Sequence, residues 1–233
     1  MSGMTGLTIT DCGDSALRVT SSAATTEEKW ARVHALAATL DARSPVGVFG
    51  AIVTYDALLV EFDCVTTSHD AVRRAVESAA LAGGDTEHRA PRSFVVPVVY
   101  GGAHGPDLEL VASVLGVSTD EVVRIHSSEP LTMRCFGSPG GAPMLDGPAF
   151  ELPIPRRSSP RPSVPAGAVA VAGRQAVVSA RPAPGGWQVL GRTPVELVDL
   201  TSSPLSPFAP GDTFRFEPID AAEWDAYAGG IDG

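Results

Sequence analysis

Val164-Pro-Ala-Gly-Ala-Val-Ala-Val-Ala-Gly173 is a run of small and β-branched apolar residues with a glycine near each end. Alternating valines bounded by breakers read as a strand set between turns. The texture continues from Pro130 onward: short β-branched runs, frequent Gly and Pro, and no helical period before the last residues. That pattern predicts a β-barrel or sandwich over 89–220, with Pro148–Pro165 as a long irregular loop.

The same run sits inside an electrostatic anomaly. The 233-residue chain is formally −10, yet from Leu152 to Val195 it holds no Asp or Glu. Six arginines lie there: Arg156, Arg157, Arg161, Arg174, Arg181 and Arg192. Guanidinium offers a planar fork of donors that matches carboxylate and phosphate, so an anionic ligand is the first function to weigh. Nucleic acid is disfavoured by the overall charge, because phosphate binding needs a basic face over the whole contact area.

Composition bounds the rest. With 44% hydrophobic and 19% charged residues, the chain is expected to fold. Cys12, Cys64 and Cys135 lie far apart with no CxxC pair, which predicts reduced thiols in the cytoplasm and argues against a disulfide framework or zinc site. The start Met1-Ser-Gly-Met-Thr5 has no basic region followed by an apolar run, so no secretory signal is expected. No apolar stretch reaches membrane-spanning length.

Ahead of the β-rich half, the order of signals is ββαββα, which predicts an α+β N-terminal domain over 1–88. Leu7–Thr10 and Ala16–Val19 read as strands around the turn Cys12-Gly-Asp-Ser15. Trp30, Val33, Ala37 and Leu40 have helical spacing within Thr25–Leu40, with Thr26 expected as the cap. Val48–Thr54 and Leu58–Phe62 read as a hairpin, and Ser68–Leu81 as a helix stopped at Gly83-Gly84. The breaker-rich segment 83–91 marks the domain boundary. Beyond it come a strand over Ser93–Tyr100 and a helix over Pro106–Leu115 closed by Gly116. A capping box, Ser118-Thr-Asp-Glu121, opens a helix over Asp120–His126, and 221–233 is expected to be a C-terminal tail.

Several motifs carry a resemblance, in order along the chain. They are Cys12-Gly-Asp-Ser-Ala-Leu17, Tyr100-Gly-Gly with Gly105-Pro-Asp-Leu108, and Glu121-Val-Val-Arg-Ile-His126. Pro155-Arg-Arg continues through Pro160 to Gln175, followed by Pro184-Gly-Gly-Trp-Gln-Val-Leu-Gly-Arg-Thr-Pro194 and Pro210-Gly-Asp212 with Phe216. The sequence thereby resembles the family of 5-oxoprolinase B subunits, also described as KipI-like or allophanate hydrolase subunit 1, whose members carry a carboxyltransferase domain. The resemblance implies that the C-terminal barrel is cyclophilin-like and mostly antiparallel. It also implies a partner, the C subunit of 5-oxoprolinase. With a separate A subunit, that complex uses ATP to open 5-oxoproline to glutamate. Some members are described instead as inhibitors of a sensor histidine kinase. Two segments depart from the family pattern. The Gly-Phe-x-Pro-Gly-Phe-x-Tyr-Leu signature has become Phe136-Gly-Ser-Pro-Gly-Gly-Ala-Pro-Met-Leu145, and a Gln-Thr-Gly-Ile-Tyr-Pro run has become Gln175-Ala-Val-Val-Ser-Ala180.

Candidate residues follow from these stretches. His126 ends its helix, where the dipole favours a protonated imidazole able to act as acid or base; the other reading is a packing or C-capping histidine. Prolines around Arg156, Arg157 and Arg161 restrict the backbone that carries these guanidinium groups. They read either as a clamp for a carboxylate or nucleotide phosphate, or as arginines pairing with acids of a partner protein. Gln175 is an amide in an apolar strand, and a ligand lactam is one partner for it. Trp187 and Arg192, beside the Pro184-Gly-Gly186 turn, suit either a ligand site or an interface. Tyr100-Gly-Gly-Ala-His-Gly105 is not a P-loop, and Lys29 is the sole lysine, so ATP contacts are expected to be unconventional or completed by a partner. No metal-ligand motif is present in the sequence.

Overall fold

A computed structural model describes residues 6–82, 89–137 and 140–231. They fall into two compact units, Met1–Arg89 and Ala90–Gly233. The expected helix stop at Gly83-Gly84, most of the boundary segment and Ser138-Pro139 of the altered loop lie outside the described residues.

The first unit runs β1 (Leu7–Asp11), β2 (Ala16–Ser21), α1 (Thr26–Arg43), β3 (Val48–Val53), β4 (Ala57–Phe62) and α2 (His69–Ala82). Its antiparallel sheet has the order β1-β2-β4-β3. Side chains alternate across a strand. Leu17, Val19, Leu58, Val60 and Phe62 therefore share one face, packed on Val33, Leu36 and Leu40 of α1 and Val72 and Val76 of α2. Arg18 and Glu61 point the other way and are exposed. The cap of α1 is Thr25, not Thr26. Thr25 Oγ1 accepts the amide of Glu28 at 3.1 Å, and Glu28 Oε2 accepts the amide of Thr25 at 3.1 Å. The glutamate that completes a capping box stands three residues after Thr25, which decides between the adjacent threonines.

The second unit begins with β5 (Ser93–Tyr100), α3 (Leu108–Leu115), α4 (Thr119–Ser128), β6 (Leu131–Gly137) and β7 (Ala142–Asp146). It continues with β8 (Arg161–Val164), β9 (Ala168–Ala172), β10 (Gln175–Val178), β11 (Ala183–Gly185), β12 (Gln188–Arg192) and β13 (Val195–Glu196). β14 (Thr213–Pro218), a 3-10 helix (Ala221–Ala226) and β15 (Gly229–Gly230) complete it. Seven strands close a barrel in the order β10-β7-β6-β14-β5-β12-β9, and β10 pairs with β9 to seal it. Every barrel pair is antiparallel except β5 with β14. The interior is filled by Phe94, Val96, Val98, Met133, Leu145, Leu190, Phe214 and Phe216, with Val111 and Val122 contributed by α3 and α4.

β9 is the strand inside the run Val164–Gly173, and it is buried on both faces. Val169 and Val171 belong to the barrel core, whereas Ala168 and Ala170 pack outward against Val164 and Val189, with Trp187 over them. The alanine side leaves room for a covering layer, supplied by 155–164. That segment, expected to be irregular, ends in β8, which pairs with β11. The segment from 221 onward also joins this unit: β15 pairs in parallel with β13, and Ile231 is buried. No helix among the described residues is long and apolar enough to cross a membrane.

Candidate functional site

The structure distributes the sequence-predicted residues over four places. His126 lies in the core with no exposed surface. Its Nδ1 shares a 2.7 Å hydrogen bond with the Tyr100 hydroxyl, and its ring packs 4.5 Å from that of Phe216. Burial pushes the imidazole down to about 3, so the protonated ring expected from the helix dipole gives way to a neutral one. The same burial pushes the Tyr100 hydroxyl up. His126 Nε2 is buried without a hydrogen-bond partner.

Arg156, Arg157, Arg161 and Trp187 come together on the outer strap of the barrel. Arg161 donates to both carboxylate oxygens of Asp107 at 2.8 Å, and Arg157 donates to Oδ1 at 3.2 Å. The Val189 amide adds a fourth donor at 2.7 Å. Burial alone would raise the Asp107 carboxyl, but Arg161, the Val189 amide and the Arg157 charge outweigh it and hold the carboxyl below its ordinary range. Asp107 is the residue before α3, yet it makes no side-chain cap bond there. Its oxygens are committed to the strap instead. Two guanidinium groups that read as an anion clamp thus already grip an anion of their own chain. Arg156 lies 5.5 Å over the Trp187 ring, and Gln188 Nε2 donates to Pro155 O at 2.8 Å. These contacts lay the strap down.

Gln175 stands apart from the strap. With Phe150, Leu152 and Val171 it lines a crevice of about 10 Å³, room for little more than one water. The neighbouring Arg174 donates to the carbonyls of Phe150 and Glu151 at 3.2 Å each.

Arg192 occupies the far end of β12 from Trp187, about 15 Å along the strand. There it lines an open cleft of about 590 Å³, together with Arg181, Thr193, Glu196, Asp199 and Trp224. Gly167 contributes to the cleft at φ +77, where a Cβ would stand 2.3 Å from the Thr193 carbonyl oxygen; glycine is required. Arg192 Nε donates to Ala166 O at 2.9 Å. Among the described residues its two terminal nitrogens meet no acceptor. The guanidinium carbon lies 5.3 Å from the Trp224 ring centre, and Trp224 in turn packs 4.8 Å from His104. Asp199 accepts from the Ser202 and Thr201 hydroxyls and from the Thr201 amide, which hold its carboxyl at about 2.

The altered hairpin borders this cleft. A Cβ on Gly140 would stand 2.8 Å from Arg181 Cδ, and one on Gly141 3.2 Å from Val198. Sequence reasoning does not single out Asp107, Trp224 or Arg181 as individual site residues. Arg181 carries a signal, since it belongs to the acid-free stretch. Trp224 lies in a segment expected to be a tail, and Asp107 falls inside the helix expected over Pro106–Leu115.

The glycine-rich turn 100–105 commits several of its amides to carbonyls of its own chain. The amide of Gly101 donates to Leu190 O, those of His104 and Gly105 to Gly101 O, and that of Asp107 to Val189 O. Gly101 and Asp107 thereby pin the turn to β12, while His104 and Gly105 close it on itself. Among the described residues no group of three or more His, Cys, Asp or Glu side chains is placed to hold a metal ion.

Residues 7–208 match the family model described as carboxyltransferase domain, subdomain C and D. The chain is 34% identical over 230 residues to the B subunit of 5-oxoprolinase from Bacillus subtilis (strain 168), covering 94% of this chain and 95% of that protein. Among solved structures, TTHA0988 matches 88% of this chain with a TM-score of 0.76 and 32% identity, over 40% of its own longer chain. Urea carboxylase of Kluyveromyces lactis shares the fold, with a TM-score of 0.81 at 16% identity over 100% of this chain and 24% of that one. The chain thus spans less than half the length of either solved relative. The near end-to-end alignment and the family model agree with the closed barrel and the motif order along the sequence: this chain belongs to the family of 5-oxoprolinase B subunits, built on subdomains C and D of a carboxyltransferase domain.

Proposed function

We propose that this chain serves as the B subunit of an ATP-dependent 5-oxoprolinase in the cytoplasm, opening 5-oxoproline to glutamate together with the C and A subunits of that enzyme. In this reading residues 1–88 form the ββαββα domain and the barrel is of the cyclophilin-like kind. The observation that carries the proposal is the 590 Å³ cleft, of a size suited to small molecules, with the Arg192 terminal nitrogens open to it. A lactam carboxylate is planar and accepts two parallel N–H bonds from such a group. What this chain contributes is binding and orientation of the acid, because its buried, neutral His126 has no route to a bound ligand. The nucleotide is assigned to the assembly as a whole, with its phosphates held outside this chain, since the amides of Gly101, His104, Gly105 and Asp107 already have carbonyl acceptors.

The test is reconstitution. The chain is purified with the products of its neighbouring reading frames, and ATP-dependent glutamate formation is measured with and without it. Loss of glutamate on omission supports the proposed role; unchanged activity overturns it. The rival reading, a regulator of a sensor histidine kinase, rests on the altered 136–145 hairpin beside the cleft. Recovery of a histidine kinase from native extract, with no homologue of the 5-oxoprolinase C subunit, would decide for it.

A further inference from the structure

The cleft that Arg192 enters has a charge balance unlike that of a phosphate site. Its lining carries two cations, Arg181 and Arg192, and two anions, Glu196 and Asp199. A polyphosphate brings several negative charges and needs a surplus of positive ones. A monocarboxylate brings one, and a bidentate guanidinium satisfies it. The remaining wall mixes apolar side chains, among them Pro182, Val198 and Leu200, with the polar Thr193 and Thr201, which suits a small ring carrying polar substituents.

The guanidinium is also held in place. Nε is tied to Ala166 O, and the face of the group lies against Trp224. Trp224 comes from the 3-10 helix Ala221–Ala226 and is backed by His104 of the glycine-rich turn. Two segments far apart in sequence therefore meet on one side chain, with a third backing the indole, and the two terminal nitrogens are the donors left over.

We propose that this cleft binds a small cyclic monocarboxylate on the chain by itself, with Arg192 as the carboxylate-binding residue and Trp224 as the residue that positions it. The choice of the lactam as ligand rests on the 5-oxoprolinase reading above; the binding site does not.

The experiment is calorimetric titration of the purified full chain with 5-oxoproline, with 2-pyrrolidinone (the same ring without the carboxylate) and with pyrophosphate. Saturable binding of 5-oxoproline is expected in the millimolar range or tighter, with 2-pyrrolidinone weaker by about tenfold or more, the worth of a charge-assisted hydrogen-bond pair. Arg192→Gln should weaken 5-oxoproline by a similar factor, about tenfold, while Arg192→Lys, which keeps the charge and loses the fork, recovers only part. Trp224→Phe should retain affinity, Trp224→Ala should lose it, and the double variant Arg192→Gln with Trp224→Ala should be no weaker than Arg192→Gln. That non-additivity is the signature of positioning, which a general loss of stability would not produce. Thermal melting of each variant guards against misfolding. Equal binding of 2-pyrrolidinone, tighter binding of pyrophosphate, unchanged affinity in a folded Arg192→Gln, or no saturable binding overturns the site. Glutamate formation by the assembly with folded Arg192→Gln unimpaired would overturn the site and leave the wider role in the enzyme standing.

Discussion

Arg161 and Asp107 stand 54 positions apart in sequence and meet through two parallel hydrogen bonds of 2.8 Å. The pair joins the outer strap to the start of α3, and Arg157 and the Val189 amide fill the remaining capacity of the carboxylate. Asp107 is buried, whereas both arginines are partly exposed; removing the carboxylate leaves the two guanidinium groups to solvent and the Val189 amide without this acceptor.

Asp107→Ala should therefore cost about 2–3 kcal/mol in urea denaturation. The carboxyl is held below its ordinary value of 3.8, so its contribution is complete above that pH and drains as pH falls through the lower folded value. Asp107→Asn should remove this acid-limb dependence. An unchanged denaturation midpoint in Asp107→Ala would show that the strap is not held by this pair.

His126 sets a second pH dependence, at higher pH. Unfolded, the ring takes up a proton near 6.5; folded, it resists until about 3. The folded state binds fewer protons across that window, so stability is full above about pH 6.5 and falls as pH decreases toward 3, by about 1.4 kcal/mol per pH unit. Denaturation midpoints measured from pH 7.5 to 4.5 should show the slope. His126→Phe, which removes the ionisation and fills most of the same space, should flatten it.

The position of the α1 cap can be read from two alanine variants. Thr25→Ala should cost about 1 kcal/mol, and Thr26→Ala no more than a few tenths. A larger loss in Thr26→Ala than in Thr25→Ala would return the cap to Thr26, the residue expected from the sequence.

Gly105 and Gly102 lie in one turn and should respond differently. A Cβ on Gly105 would stand 1.9 Å from the Leu190 carbonyl oxygen, which forces the turn away from β12 at a cost of about 3 kcal/mol. Gly102 has φ +53 with open space around it, so Gly102→Ala should cost only the left-handed backbone penalty, about 1 kcal/mol. Thermal melts of the two variants check the difference.

The sequence makes legible whatever depends on near neighbours. The period of Val33, Ala37 and Leu40 marks α1 because one helical face meets a sheet, and alternating Val and Ala mark β9. The strand β8 inside 155–164 is not legible, because its pairing partner β11 lies some twenty residues on and prolines hide its pattern. The candidate site is legible as a stretch and not as a geometry. All six arginines carry the same charge on paper, but Asp107 neutralises Arg157 and Arg161 while Arg192 keeps free donors. Nothing local distinguishes them. Trp224 escapes notice for the same reason: its relation to Arg192 crosses the span from β12 to the end of the barrel.

The parallel pairing of β5 with β14 has a consequence for synthesis. Ser93 is matched with Thr213 and Val98 with Pro218, while β14 also borders β6. A nascent chain halted before Thr213 has made every other barrel strand yet leaves β5 and β6 with open edges, ready to pair with whatever lies near. Domains fold as units during translation. The first unit is complete before β5 emerges, whereas the barrel waits for nearly its last strand; truncation there should yield aggregates rather than a smaller barrel.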